Sequence, residues 1–570
     1  MQCPTRALSI AAATVVLAMG NAPVAHAANY YFANGSGNGN GSLNNPYTNL
    51  SALDGLTLGA GDNVYLRGGD TFNGNVYFDP ADGGTAAQPV TLTSYGTGRA
   101  TIQAGSGNDG IFAYNNGGFS FSNFNVVGNG YTSNTKNGIS LYNDLAGNVK
   151  KDYLRFDNLD ISGFGSNGLV FGGYNGSSGY NDVRITNVAS HDNGKGGISS
   201  YGFTFNRTTQ NYANTNVYVG NSRAYNNRGL ASDPNPSGNG IVLGSVNNGV
   251  IERSVAYNNG INNVNTAGPV GIWTYDARNV VIQHNESYAN RTSGGDGDGF
   301  DLDINTTNCV LQFNYSHDND GAGYLVYSDG GRTSSGNVVR YNISQNDGRK
   351  LAYAGIMIAG GAVNGVDVYN NTVYLDKTGG NASAAGIGVL NVGSGSPTNV
   401  RVLNNIIQTA NGATTLSAVS GTVVRGNDYF AAGSASPLIL YAGTQYGTLA
   451  AFRLATGQEM VNGQATGFNV DPKLMNAGGG GTIGDANALG TLSAYTLLTA
   501  SQMRDAGLNL QSLFGINPGL TDFYGVLIPN NGAYDIGASE FLATAVPEPA
   551  AFGLLCMGGL ALLRRRRQRA

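Results

Sequence analysis

Runs of alternating apolar and polar residues, each opened by a glycine, recur along the middle of the chain. Gly138, Gly168, Gly197, Gly240, Gly271, Gly299, Gly323, Gly355 and Gly386 begin them, 24 to 43 residues apart, in forms such as GIVLG, GIWTY, GFDLD, GYLVY and GIMIA. Within Gly299-Phe300-Asp301-Leu302-Asp303 the strand period places Phe300 and Leu302 on one face and the two aspartates on the other. A second column trails the first: Asn221, Arg253, Asn285, Asn314, Asn342, Asn371 and Asn405. Asparagine tolerates left-handed backbone and its amide can bond to copies above and below, so the column predicts a turn ladder. Repeats of this length, too rich in glycine and β-branched residues for helix pairs, predict an all-β solenoid of stacked coils. A propeller would need four strands per 40 to 50 residues, and a leucine-rich repeat a leucine skeleton that the chain lacks.

The pattern divides the chain. The opening, with Tyr30-Tyr31-Phe32, a short helix expected over 49–58, Gly61-Asp62-Asn63-Val64-Tyr65-Leu66 and Val90-Thr91-Leu92, resembles the start of secreted right-handed parallel β-helix proteins of the pectate-lyase-like superfamily. That resemblance extends over residues 29 to about 430 and implies a right-handed parallel β-helix with an N-terminal cap. From Ala431 the period fades, a helix is expected over 448–456, and residues 431–545 read as a cap over the open end of the solenoid, where a bare edge would invite aggregation.

Both termini carry addresses. Residues 1–27 combine Arg6, an apolar stretch and Ala25-His26-Ala27, the parts of a secretory signal peptide. Residues 546–570 read Val-Pro-Glu-Pro, then apolar residues from Ala550 to Leu563, then an arginine cluster, and resemble the PEP-CTERM sorting signal. The resemblance implies processing by an exosortase-type enzyme, transient membrane association through the tail, and delivery to the exterior or outer surface of a Gram-negative bacterium. The net charge of −5 falls to −10 once Arg6, the five tail arginines and Glu548 are left out. An acidic exported chain is a poor nucleic-acid binder. Cys3 and Cys556 lie in the terminal segments, which leaves Cys309 alone and no intrachain disulfide for the mature protein.

Candidate chemistry concentrates at Asp296-Gly-Asp298-Gly-Phe-Asp301-Leu-Asp303. Asp301 and Asp303 share an outward face, about 6.5–7 Å apart at their Cα atoms. Aligning coils on their glycines sets Trp273 and Tyr275 beside them from one side, and Leu325 and Tyr327 from the other. Rings offer sugars an apolar platform, and a carboxyl pair can serve as acid and base, so Asp301, Asp303 and Asp298 are candidate catalysts, with Trp273, Tyr275, Tyr327 and Arg332 as substrate contacts. His317, Asp318, Asp320, Lys195 and Lys350 form a second rank, the lysines and Arg332 as bases for β-elimination. Asp296, Asp298 and Asp303 also suit a calcium ion, although not in an EF-hand, whose twelfth position here is Thr307. The chain lacks both the Asn-Thr-Asp with Gly-His-Gly pattern of polygalacturonases and the Asp-Pro-His-Asp pattern of alginate epimerases. Two readings follow: a polysaccharide-cleaving hydrolase or calcium-assisted lyase, and a non-catalytic surface or matrix protein that binds glycans.

Overall fold

The computed structural model describes residues 27–542 except 204, 207–208, 379–382 and 531. Each coil contributes three strands, as in Asp298–Leu302, Val310–Gln312 and Tyr315–His317. The first two join a 26-stranded sheet and the third a 13-stranded sheet, with coil-to-coil pairing parallel throughout. The protein is a parallel β-helix. In Asn239–Glu252 and Val270–Gln283 the first two strands of a coil run together without a break.

Alternation is obeyed at the central coils. Phe300 and Leu302 are fully buried in the solenoid core, with Phe300 paired to Ile272 and Tyr324 and its ring stacked on Tyr324 at 5.1 Å. Asp301 points the other way, paired with Trp273 on one side and Leu325 on the other. The alignment on glycines therefore gives the true register.

The asparagine column needs correction by one position in its first two members. The buried ladder runs Ser222, Ser254, Asn285, Asn314, Asn342, Asn371, Asn405 and Asn427, each accepting the backbone N–H of the residue one coil earlier. Asn221 and Arg253 stand one residue earlier, in the left-handed turn column they share with His284, Phe313 and Tyr341. The ladder asparagines thus act through their amides. Asn314 gives its Nδ2 to the Ile282 carbonyl at 2.8 Å and to Asn342 Oδ1 at 3.1 Å while accepting from Asn285. A second ladder of the same kind runs from Asn193 through Asn227, Asn259, Asn290 and Asn319 to Asp347.

Both ends are closed. At the start, the Leu50–Gly55 3-10 helix, capped by Asn49, buries Leu50 and Leu53. At the far end parallel stacking continues past residue 430 to Ile439–Tyr441, and the Leu449–Thr456 helix seats Phe452 on the core. Glu459 accepts the N–H groups of Gly426 and Asn427, and Phe468 bridges Asp428, so this stretch also closes that end before the chain turns away. It folds back along the 13-stranded sheet, where Leu489, Leu492, Tyr495, Met503 and Ile536 pack on Tyr315, Tyr341, Ile343 and Ile406. The physical reason is apolar: Phe313, Tyr315 and Tyr341 face outward from mid-solenoid coils and need cover. Polar ties fix the register of this strap, from Gln345 to Gly480 and from Glu286 to the N–H groups of Ile483 and Gly484. Asp522, Asp535 and Glu540 hold its last turns by accepting backbone N–H groups. The signal segment and the sorting tail lie outside the described residues. Among the described residues no helix is long and apolar enough to cross a membrane.

Candidate active site

The outward column that begins with Trp273 and Asp301 continues through Leu325 and Met357, so apolar side chains occupy positions where a strand normally shows water a polar face. Leu325 and Met357 pack with Ala354, Ala359 and Ala385, and Tyr327, Tyr353 and Leu390 lean over them. Asp329, which accepts from the N–H and hydroxyl of Ser394, ties the loop carrying Arg332 to the loop carrying Val392. The result is a cleft of about 470 Å³ lined by the carboxyls of Asp296, Asp301 and Asp303, the apolar Leu325, Met357, Leu390 and Val392, and Tyr327, Tyr353 and Arg332.

The three carboxyls are not equivalent. Asp301 is 3% exposed and its Oδ1 is buried without a hydrogen-bond partner. Burial, reinforced by Asp303, Asp298 and Asp296, holds it well above the usual carboxylate range. Asp303 follows its strand, its N–H donating to the Thr274 carbonyl at 3.0 Å. Burial pushes it up to about 7, with Asp296 adding to the rise, while the Ile304 N–H and Arg332 oppose it. Asp296 is also raised by burial, but its ionised form is supported by the Gly268 N–H on one oxygen and the Tyr353 hydroxyl, at 3.1 Å, on the other. The site thus holds two adjacent carboxyls in unlike environments, Asp301 buried without a partner on Oδ1 and Asp303 at about 7, the kind of difference that acid–base chemistry uses.

Asp298 is not in this cleft. Its side chain is fully buried, one oxygen accepting the Ala322 N–H and the other unpartnered, and burial with the nearby Asp296 charge keeps it well above the usual range. It points inward because it opens the Asp298–Leu302 strand two residues before Phe300 and so shares the face of Phe300 and Leu302. Among the described residues no three His, Cys, Asp or Glu side chains form a set that could hold a metal ion. Asp296, Asp298 and Asp303 are accordingly not gathered as ligands, since Asp298 faces Ala322 and Asp296 is bonded to Gly268 and Tyr353.

Trp273 and Tyr275 border the cleft on the preceding coil, their rings 5.2 Å apart. The Trp273 Nε1–H donates to Asn239 Oδ1 at 3.1 Å, which also accepts the Val270 N–H, so the indole is held in one orientation. Burial raises the Tyr275 hydroxyl, with Asp276, Tyr174 and Asp303 contributing.

The second-rank residues are dispersed. His317 lies on the 13-stranded sheet, between Glu286 at 3.2 Å and Asp318 at 3.0 Å, at the end of a ring stack through Tyr288, Tyr257 and Tyr225. Asp318 also faces Arg349, and Asp320 pairs with Arg291 at 3.1 Å. Lys195 is tied to Asp233 at 2.8 Å, and the Lys350 ammonium donates to the Thr292 carbonyl. None of the five lines the cleft. Sequence reasoning missed Tyr353 and the apolar wall; the signal was Met357 at an outward strand position, in register with Asp301 through Leu325.

Comparison with known proteins identifies the sorting signal of the tail. Residues 545–567 match the model of the PEP-CTERM protein-sorting motif. The chain is 34% identical over 109 residues to a lacto-N-biosidase of Bifidobacterium longum subsp. longum, a stretch that covers 19% of this chain and 6% of that protein. The chain therefore spans a small part of that relative's length. Among solved structures it resembles a lacto-N-biosidase of Eubacterium ramulus (16% identity, TM-score 0.45, 66% of this chain and 68% of that one). It also resembles pectate lyase Pel9A (16%, 0.40, 91% and 98%) and a mannuronan C-5 epimerase A-module of Azotobacter vinelandii (15%, 0.41, 74% and 92%). Strand pairing and motif together define a parallel β-helix protein that carries a PEP-CTERM sorting signal. Its PEP-CTERM tail marks it for export and cell-surface sorting and implies exosortase processing.

Proposed function

We propose that the protein is an exported glycoside hydrolase acting on polysaccharide, with Asp301 as general acid and Asp303 as its carboxylate partner. The observation that carries this reading is the pairing, on one outward face, of a buried Asp301 held above the usual carboxylate range with an Asp303 at about 7, in a cleft lined by Tyr327 with Trp273 and Tyr275 on the preceding coil beside them. In the reaction Asp301 gives its proton to the glycosidic oxygen as the bond from that oxygen to the anomeric carbon breaks. The ionised Asp303 faces the developing oxocarbenium centre, either bonding the anomeric carbon or taking a proton from the attacking water. Asp296 and Arg332 would bind hydroxyls, and the rings would hold the sugar plane. The 34% identity to part of a lacto-N-biosidase points the same way.

The lyase reading is weaker. Elimination needs a base and a cation to neutralise the uronate, and of Lys195, Lys350 and Arg332 only Arg332 lines the cleft. A second reading, a non-catalytic surface or matrix glycan-binding protein, is favoured by exposed rings that extend well beyond the acids. The test is Asp301→Asn, which keeps the shape of the side chain and removes the acid. Loss of turnover on a confirmed substrate with binding retained supports hydrolysis, and turnover equal to that of the unaltered protein rules it out.

A further inference from the structure

Upstream of the cleft the same outward surface carries a file of aromatic rings. Tyr114 pairs in register with Tyr142, Tyr142 with Gly172, and Gly172 with Tyr201. Ser200 pairs with Leu243, which sets Tyr201 beside Gly244, and Gly244 pairs with Tyr275. Thr274 pairs with Leu302, so the next step of the column is Asp303 itself. The two glycines are where neighbouring rings lie down on the backbone: a Cβ at Gly172 would stand 2.8 Å from Tyr201 Cγ, and one at Gly244 2.3 Å from Tyr275 Cζ. Tyr174 fills the step above Gly172, 55% exposed, its centroid 6.0 Å from Tyr142 and 5.2 Å from Tyr201 and tilted to both. Five coil steps separate Tyr142 from Asp303, about 24 Å at the strand spacing.

We propose that this file is an extended binding track for an uncharged polysaccharide, which lies along the solenoid axis and delivers one of its linkages to Asp301 and Asp303. The inference rests on the hydrolase reading for its end point and goes beyond it in naming the substrate class and the remote contacts. Continuity of the column with the cleft fixes the occupant as the glycan that the cleft receives. A run of rings accommodates successive sugar faces without regard to hydrogen-bond pattern, whereas a globular protein partner would meet a strip one side chain wide. Charge fixes the class: Asp296 and Asp303 stand at the end of the track and Asp144, which accepts the Tyr114 hydroxyl at 3.1 Å, stands beside it. A uronate chain would meet like charge at both places.

The test uses the full chain and the fluorescence of Trp273, the chain's one tryptophan, which stands at the track's end. Trimers and hexamers of cellulose, β-1,3-glucan, mannan and dextran series are titrated beside galacturonate and mannuronate hexamers. The expected result is that one neutral series binds, its hexamer more tightly than its trimer, and that Tyr142→Ala/Tyr174→Ala loses about tenfold on the hexamer alone. Tyr142→Phe/Tyr174→Phe, which keeps the rings, retains the affinity, and Gly244→Ala, which displaces the Tyr275 ring, weakens both lengths. Equal binding of trimer and hexamer, preference for a uronate, or no effect of the double alanine variant overturns the track. Because binding is read without turnover, Asp301→Asn separates the claims. Track-dependent binding by an unaltered protein that never cleaves supports the track and refutes the hydrolase, and cleavage that ignores Tyr142 and Tyr174 does the reverse.

Discussion

Trp273 and Asp301 are Cα partners on adjacent parallel strands, one coil apart, so the chain's one tryptophan and the buried Asp301 carboxyl stand about 4.8 Å apart at the backbone on the same outward face. Asn239 holds the indole from behind. Trp273→Ala is expected to raise KM roughly tenfold with a smaller change in kcat, because a ring contact binds ground and transition states alike. Trp273→Phe should recover most of the loss. A fall in kcat with KM unchanged would place the indole in the chemistry instead.

Asp303 sets the acid limb of the pH profile. With its carboxyl at about 7 and its ionised form required, kcat/KM should rise as pH climbs through about 7. Asp303→Asn should remove the acid limb together with about 10²–10⁴-fold of the rate. An enzyme most active near pH 4, where both groups are protonated, would reverse the assignment.

The same shift has a stability consequence of fixed sign. An unfolded aspartate ionises near 3.9, so between about 4 and 7 the folded protein holds a proton on Asp303 that the unfolded chain has lost. Stability therefore falls as pH rises through this window, and the penalty is complete above about 7, on the order of 4 kcal/mol. Asp303→Asn should raise Tm more at pH 8 than at pH 5. Calorimetry that finds the same gain at both values would contradict the raised carboxyl.

The fold and the track's column were legible in the sequence because strand alternation and glycine spacing are local signals. Phe300 inward and Asp301 outward follow from period two, and the register from matching glycines. The slip at Asn221 and Arg253 arose because the ladder changes from asparagine to serine at Ser222 and Ser254, while the left-handed turn beside it accepts asparagine too. The strap's course could not be read, since it depends on outward rings at Phe313, Tyr315 and Tyr341 meeting a segment more than 130 residues distant in sequence. Asp298 was misplaced although the strand period, which puts it on the inward face with Phe300 and Leu302, already points its carboxyl away from Asp301 and Asp303.

The ladder carries a large share of cohesion. Asn314→Ala removes the acceptor for the N–H and Nδ2 of Asn285 and strands the Ile282 carbonyl in a dry interior. A loss of about 2–4 kcal/mol is expected from denaturant unfolding. A change within about 0.5 kcal/mol would show that the sheets alone hold the coils together.

The strap is latched by Glu286, whose carboxylate accepts the N–H groups of Ile483 at 2.7 Å and Gly484 at 2.6 Å and faces His317. Burial lowers the His317 pKa, but hydrogen bonds to Asp318 and Glu286 outweigh it and leave the ring above its ordinary value. The latch should therefore be strongest below pH 6.5 and weaken as pH rises through the folded value. Glu286→Ala is expected to expose residues 480–500 to protease while the solenoid stays resistant. An unchanged cleavage pattern would mean the apolar contacts suffice.

The most direct measurement incubates the unaltered protein and Asp301→Asn with neutral and uronic-acid polysaccharides, following reducing ends and the absorbance of unsaturated products together. The account predicts reducing ends without unsaturation on a neutral polymer, abolished in the variant while binding persists. Unsaturated products from a uronate, or reducing ends released equally by both proteins, would contradict it.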